Sequence, residues 1–233
     1  MEFPVYIKKI KAVIFDMDGV LVDTEHLHMK AFDSFLEKFG LKVDDPFLQS
    51  LIGTSIEENI KMFFKRFPQL KGENMQELIS ERNKIYADLV QKEPLVPISG
   101  VIEVLDFCLN NDIKTGLASS SDQDQIDLIL KRLNSNKNYE LDLYNSFHTI
   151  VAGDSVKEKK PAPDIYLQAI ANLNIDKKHI IAIEDSQAGI SSAKNAGIFC
   201  FALENYYNDV YRMQGPDYIL KTLHDFVEIL FEM

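Results

Sequence analysis

The stretch Ala12–Glu25, AVIFDMDGVLVDTE, is the feature that most constrains how this chain can fold. Four apolar residues run directly into two carboxylates two positions apart, Asp16 and Asp18, and then into Gly19. A short apolar run that stops at acids and glycine is typical of a buried strand that delivers side chains to a loop. Two neighbouring acids repel each other, so a cation, a shared proton or a basic side chain must compensate them. The stretch therefore predicts a ligand site at the carboxyl end of a strand.

Charge and composition exclude several classes of function. The formal net charge of −11 over 233 residues argues against binding to nucleic acid or to anionic membranes, both of which need basic patches. Cys108 and Cys200 lie in apolar runs without metal-ligand spacing, which predicts two buried free thiols. No signal pattern begins the chain and no stretch approaches the ~20 apolar residues of a membrane span, so we expect a cytoplasmic protein.

The hydrophobic pattern divides the chain into two parts. Residues from about 27 to 92 carry only helical spacing, with a capping-box pattern at Ser55 and Glu58, whereas helices and strands alternate from Gly100 onward. Repeated strand-then-helix units predict a parallel sheet with helices on both faces. We expect an α/β core formed by residues 1–24 and 95–233, into which an all-helical domain, residues 25–94, is inserted. The later strands are predicted at Ile113–Ala118, Thr149–Ala152, Ile180–Ile183, Ile198–Leu203 and Tyr218–Leu220.

Polar side chains follow several of these strands, and parallel strands would bring them to one edge of the sheet. They are Asp16, Asp18, Ser119, Lys160, Glu184 and Asp185. Carboxylate oxygens suit Mg²⁺, and a lysine with a metal ion would neutralise the oxygens of a phosphoryl group. One aspartate can attack phosphorus, while a second acid protonates the leaving oxygen. This set of residues predicts phosphoryl transfer.

Four motifs in this order resemble those of the haloacid dehalogenase superfamily. They are Asp16-Met17-Asp18-Gly19-Val20, Ser119 after a strand, Lys160-Pro161-x-Pro163-Asp164 and Glu184-Asp185-Ser186-x-x-Gly189. The flanks FDMDGVLVDTE, KPAPDIY and IEDSQAGI are similar to those of its β-phosphoglucomutase-like phosphatases with a helical cap. The resemblance spans almost the whole chain and implies a Rossmann-like core whose helical insert acts as a mobile lid.

The resemblance also implies roles for the acids. Asp16 would be the nucleophile and Asp18 the general acid and base, with Mg²⁺ held by Asp16, the Asp18 carbonyl, Glu184 and Asp185. Whether Glu184 contacts the metal directly or stands behind Asp185 is left open. The presence of Asp18 favours phosphoryl transfer over dehalogenation, because dehalogenases of the superfamily lack that second acid.

Substrate contacts are expected from the core as well as from the helical insert. Ser119, Ser120 and Lys160 are expected to bind the phosphoryl group, while the neighbouring Lys159 is expected at the surface. The Pro that follows Lys160 matches the family motif and is the reason for choosing between the two lysines.

Four further candidate substrate residues lie in the insert or directly before it, namely Thr24, His28, Gly53 and Arg82. In the mutase a cap histidine at the place of His28 helps to orient the general acid, and Thr24 is also a candidate hinge. The alternative is that His26 and His28 are two exposed histidines at the start of a helix.

The insert departs from the mutase pattern in the segment GTSIEEN. β-Phosphoglucomutases carry there an arginine that grips the second phosphate of a bisphosphorylated intermediate, and this chain has Ile56. Without that cation, water becomes the easier phosphoryl acceptor. We expect a Mg²⁺-dependent phosphatase of small phosphorylated metabolites, with sugar phosphates as candidates and β-phosphoglucomutase as the alternative. A phosphate-accepting receiver domain would have no helical insert, and a non-catalytic binding protein would give Asp18 no role.

Overall fold

The computed structural model describes residues 10–51, 54–135, 142–208 and 213–231. The chain divides into two compact units, one formed by Met1–Asp23 with Leu95–Met233 and the other by Thr24–Pro94. In chain order the helices of the described residues are α1 (Glu25–Glu37), α2 (Asp45–Gln49), α3 (Ile56–Arg66), α4 (Met75–Lys92), α5 (Val101–Asn110), α6 (Gln123–Asn134), α7 (Asp164–Leu173), α8 (Gln187–Ala196) and α9 (Leu223–Phe231). Across these ranges, no helix combines the length and apolarity needed to cross a membrane.

The first unit is built on a six-stranded parallel sheet. Its strands are β1 (Ala12–Phe15), β2 (Lys114–Ala118), β3 (Thr149–Val151), β4 (Ile180–Glu184), β5 (Phe199–Leu203) and β6 (Tyr218–Leu220). They lie in the order β3-β2-β1-β4-β5-β6, and every neighbouring pair is parallel. The predicted α/β fold with a parallel sheet is confirmed. The strand order reverses at β1, which pairs with β2 on one side and β4 on the other, and ligands of such sheets bind in the crevice at this point.

The central strand β1 is buried on both of its faces. All four of its side chains have no exposed surface, and Ala12 and Ile14 pack in one cluster with Tyr166 of α7 and Ile190 of α8. The two-residue period of a strand points Val13 and Phe15 to the opposite face. Because both faces are covered, the strand is a continuous apolar run, and the first polar side chain emerges where the strand ends.

The observed elements follow the hydrophobic pattern closely, with two informative differences. Helix α2 was not predicted, because five residues are too few to show a period. Strand β4 runs one residue further than predicted, so Glu184 is its last residue and not part of the loop. Cys108 and Cys200 are buried free thiols, as predicted.

The chain leaves and re-enters the first unit through paired segments. Val22 forms an antiparallel bridge with Pro97, and the amide of Ile98 donates to the carbonyl of Leu21 at 3.0 Å. The segment that leaves the core and the segment that returns to it therefore lie side by side. This pairing allows a helical domain to be inserted while the core remains continuous.

The second unit is an all-helical domain around a cluster of phenylalanines. The predicted capping box is present, since the Ser55 hydroxyl accepts from the Glu58 amide and the Glu58 carboxylate accepts from the Ser55 amide. Phe63 has no exposed surface, and four further rings lie within 6.4 Å of its centroid. These rings belong to Phe32, Phe35, Phe47 and Phe67.

Phe63→Ala is expected to lower the free energy of unfolding by about 3–5 kcal/mol, because it removes a buried ring and leaves a cavity. Urea unfolding followed by circular dichroism measures the change. Phe64→Ala is the matched control on the same helix, where the side chain is only half-buried and a smaller loss is expected. Equal losses for the two variants would contradict the central place of Phe63 in the cluster.

Candidate active site

Three carboxylates converge where the strand order reverses. Asp16 directly follows β1, Glu184 ends β4, and Asp185 follows it. Each of the three offers an oxygen, and these oxygens lie within 4.8 Å of one another. Their exposed fractions are 7%, 0% and 8%, so water screens their mutual repulsion poorly. Such a cluster needs cations or bound protons to compensate its charge.

Lys160 supplies one of these cations. Its ammonium donates to Asp16 Oδ1 at 2.7 Å, to Glu184 Oε1 at 2.6 Å and to the carbonyl of Ala118 at 2.9 Å. The neighbouring Lys159 is exposed and donates instead to Asp122 and to the Ser120 carbonyl. The structure thus brings Lys160, and not Lys159, to the carboxylates.

The site perturbs the proton affinities of its own groups. Burial, followed by the charges of Glu184 and Asp18, raises the pKa of Asp16 from 3.8 to about 7, against the lowering effect of Lys160. Burial alone would lower the pKa of Lys160, but the Asp16 and Glu184 carboxylates together raise it above its usual value. Lys160 therefore stays positively charged, whereas ionisation of Asp16 is less favourable in the folded protein than in water.

Two residues whose contacts with Glu184 were not predicted shape its surroundings. The hydroxyl of Tyr166 donates to Glu184 Oε1 at 2.6 Å, and burial raises the pKa of this phenol well above its usual value, so it keeps its proton. A Cβ at Gly189 would lie 1.8 Å from Glu184 Oε2, so only glycine leaves room for the carboxylate. Both residues lie inside sequence motifs, but nothing in the motifs shows that they meet Glu184.

Asp185 is held by two asparagines of the loop after β5. The amide of Asn205 donates to Asp185 Oδ2 at 2.8 Å, and the amide of Asn208 donates to the Asp185 carbonyl at 2.9 Å. Asn205 is itself oriented, because its carbonyl oxygen accepts from the backbone amides of Tyr207 and Asn208. Sequence reasoning missed this pair, since asparagine in a loop is usually turn chemistry.

Asp18 and the serines after β2 lie beside this cluster. Asp18 Oδ2 accepts from the hydroxyl of Ser121 at 3.3 Å, another contact that the sequence did not indicate. Ser119 is fully buried and its hydroxyl accepts from the Ser121 amide at 3.1 Å, whereas Ser120 is exposed. Among the described residues, the carboxylates that group as a possible metal site do not include that of Asp18.

The structure brings together two of the four candidate residues of the helical insert. Arg82 and His28 lie 2.5 Å apart, from Nη2 to Nδ1, and the guanidinium lies 4.4 Å from the centroid of the Phe32 ring. Arg82 has no exposed surface, so its guanidinium is shielded from bulk solvent. Thr24 is buried at the start of α1, and Gly53 lies outside the described residues. The role of all four in binding substrate stays a prediction.

The fold and the site together define an α/β enzyme that gathers buried acids and one lysine at the reversal point of a parallel sheet. Residues 13–203 match the family model described as haloacid dehalogenase-like hydrolase. The chain belongs to the haloacid dehalogenase-like hydrolase family, as its motifs predict.

Relatives of known name support this assignment over nearly the whole chain. A phosphorylated carbohydrates phosphatase of Thermotoga maritima is 34% identical over 216 residues, which cover 91% of each chain. A β-phosphoglucomutase of Bacillus subtilis is 34% identical over 230 residues, which cover 96% of this chain and 95% of the relative. The crystal structure of a β-phosphoglucomutase from Clostridium difficile has a TM-score of 0.76 and 25% identity, and the match covers 96% of this chain and 97% of that one. The chain is therefore an enzyme of this family, with phosphatases and phosphomutases among its relatives.

In EDTA, the wild-type protein is expected to lose stability as the pH rises, and Asp16→Asn is expected to abolish this loss. The folded state binds the Asp16 proton more tightly than the unfolded state, so the wild type loses stability as pH rises from about 4 to about 7. A pKa raised from 3.8 to about 7 corresponds to at most about 4 kcal/mol. Denaturant unfolding of both proteins between pH 4 and pH 8 measures the difference.

Asp106→Asn is the control for this measurement, because Asp106 is exposed on α5 and its substitution leaves the buried cluster intact. The raised pKa of Asp16 would be contradicted if the wild type and Asp16→Asn differed in unfolding free energy by the same amount at every pH from 4 to 8.

Proposed function

We propose that this enzyme is a Mg²⁺-dependent phosphatase of small phosphorylated carbohydrates that works through an aspartyl-phosphate on Asp16. The observation that carries the proposal is the contact of Lys160 with both Asp16 and Glu184, beside Asp185, in the crevice of the sheet. The Thermotoga maritima relative, whose name specifies phosphorylated carbohydrates, supports this substrate class.

The donor set of the site fits a magnesium ion. Three carboxylates and one ammonium leave two negative charges in excess, and Mg²⁺ prefers oxygen ligands of this kind. Asp16, the Asp18 carbonyl, Glu184 and Asp185 would hold the ion. When bound, it would neutralise the phosphoryl oxygens and so favour their approach to the carboxylate of Asp16.

In the first half of the reaction, a carboxylate oxygen of Asp16 forms a bond to phosphorus while the bond from phosphorus to the ester oxygen breaks. Asp18 gives its proton to that leaving oxygen, which departs as an alcohol. Lys160 and Ser119 bind the phosphoryl oxygens, whose charge spreads in the transition state. The contact of Asp18 with the Ser121 hydroxyl supports a defined position for the acid.

In the second half, a water molecule attacks the phosphorus of the aspartyl-phosphate and gives a proton to Asp18. The bond from phosphorus to Asp16 breaks, which regenerates the carboxylate and releases phosphate. Each turnover thus returns Asp18 to its protonated state and consumes one water molecule.

A phosphomutase is the second candidate function, favoured by the 34% identity to the Bacillus subtilis β-phosphoglucomutase. The two activities share the first half-reaction and differ in whether water or a sugar hydroxyl accepts the phosphoryl group. A mutase must hold the second phosphate of a bisphosphorylated intermediate. The apolar Ile56 at the first position of α3 offers no charge for this purpose, which supports water as the acceptor.

The wild type is expected to hydrolyse p-nitrophenyl phosphate only when Mg²⁺ is present, and Asp16→Asn is expected to lose this activity by at least about a thousandfold. Asp18→Asn is expected to release one equivalent of p-nitrophenolate rapidly and then stall. The nitrophenolate leaves without needing a proton, but the second half-reaction needs a base. Stopped-flow absorbance measures both phases.

The exposed Asp106→Asn variant should retain full turnover in this assay. Full activity in Asp16→Asn would contradict the assigned nucleophile. To distinguish the two functions, the enzyme is given β-glucose 1-phosphate with a trace of the 1,6-bisphosphate, and glucose 6-phosphate formed without free phosphate would contradict the phosphatase.

Gly19→Ala is expected to lower turnover about a hundredfold, because a displaced ligand misplaces the reacting groups. A Cβ at this glycine would lie 2.0 Å from Asp185 Oδ2, and its φ of +77° is a conformation that favours glycine. Gly40→Ala is the matched control, since Gly40 has a φ of +70° and no atom within 4 Å of the added Cβ. Both variants share the backbone strain, so an equal effect on turnover would contradict the steric role of Gly19.

A further inference from the structure

We propose that Tyr166 is a positioning residue for Lys160: its hydroxyl fixes one oxygen of Glu184, and through Glu184 it keeps the lysine ammonium against Asp16. This inference rests on the proposed function of the site, and it assigns a role to a residue outside the groups that would touch substrate or metal.

The first step of the argument is the double hydrogen bond at Glu184 Oε1. This single oxygen accepts from Tyr166 at 2.6 Å and from Lys160 at 2.6 Å. The carboxylate has no exposed surface, so bulk solvent does not reach the oxygen. Hydrogen bonds to a buried, ionised acceptor are about twice as strong as neutral ones, and two of them from different directions hold the carboxylate against rotation.

The other oxygen of the same carboxylate is held less firmly. Glu184 Oε2 faces Gly189 of α8, which presents no side chain, and the Ser186 hydroxyl lies 3.5 Å away. A distance of 3.5 Å is at the limit of a hydrogen bond. Within the described part of the chain, Oε1 is therefore the end at which the orientation of Glu184 is set, and Tyr166 provides one of its two donors.

The second step is the full use of the Lys160 ammonium. A lysine has three N–H donors, and those of Lys160 meet Asp16, Glu184 and the Ala118 carbonyl at 2.6–2.9 Å. Each acceptor fixes one direction of the ammonium. If the Glu184 carboxylate turned, the ammonium would follow it and the contact with Asp16, the proposed nucleophile, would loosen.

The third step separates the hydroxyl of Tyr166 from its ring. The ring packs in the apolar cluster between the sheet, α7 and α8, and its centroid lies 5.4 Å from the Lys160 nitrogen. A phenylalanine would keep this packing and the contact with the cation. Among the residues that the structure describes, the hydroxyl bonds to Glu184 alone, so its removal tests the positioning role without opening a large cavity.

Tyr166→Phe is expected to lower kcat for p-nitrophenyl phosphate about tenfold to a hundredfold, the size of a lost charge-assisted hydrogen bond, and to change KM less than kcat. Tyr144→Phe is the matched control. Tyr144 is exposed, and its hydroxyl also donates to a carboxylate, that of Asp127 at 3.4 Å, so its removal should leave both constants unchanged.

A double-variant cycle shows whether Tyr166 acts through Glu184. In the Glu184→Gln background the acceptor is neutral, so adding Tyr166→Phe should lower kcat only about threefold further. The same cycle is measured by denaturant unfolding in EDTA, which does not depend on turnover. There the hydroxyl should change the unfolding constant about tenfold in the wild type and about threefold with Gln at position 184.

The possible failures point to different claims. Turnover that survives Asp16→Asn contradicts the proposed function, whatever Tyr166→Phe does. If Asp16→Asn is inactive but Tyr166→Phe has the kcat of the wild type, the positioning role is wrong and the proposed function stands. If Tyr166→Phe changes the unfolding constant equally in the wild type and in Glu184→Gln, Tyr166 is not coupled to Glu184. This result alone would contradict the positioning role.

Discussion

The contact of one buried ammonium with two buried carboxylates is the interaction on which the site depends. Lys160 lies 2.7 Å from Asp16 and 2.6 Å from Glu184, in a region that is almost wholly removed from water. Charges that are buried this deeply are costly unless they are paired and hydrogen-bonded. The lysine offsets part of this cost. The pKa of Asp16 nevertheless stays raised, which shows that the charge of its carboxylate is not fully compensated. That remaining cost is the physical reason to propose a divalent cation in the same crevice.

The topology of the sheet sets the position of the acids, and two glycines leave room for their carboxylates. Because the strand order reverses at β1, the adjacent ends of β1 and β4 lie at the crevice where such sheets bind ligands. The acids then need room beside the backbone, which Gly19 gives to Asp185 and Gly189 gives to Glu184. The same crowding lets single hydroxyl and amide groups, those of Tyr166 and Asn205, set the direction of a carboxylate.

Much of this could be predicted from sequence because it depends on short-range patterns. An apolar run that ends in acids identifies a buried strand and its site, and alternating helices and strands identify a parallel sheet. The bounds of β6, Tyr218–Leu220, match the predicted ones, and those of the other later strands differ from the prediction by one residue at one end. Helix α2 has five residues and shows no period, so the pattern could not indicate it.

The sequence by itself determined the class of fold, the acids and the lysine of the site, because each of these belongs to a motif whose spacing has a direct chemical meaning. Only the tertiary structure decided how the groups are held. Tyr166 and Glu184 are 18 residues apart in the chain, and Asn205 and Asp185 are 20 apart, yet each pair is joined by one hydrogen bond. The structure likewise buries Arg82 against His28, 54 residues away. Such contacts depend on distances through space between separate elements, and no local pattern of residues encodes them.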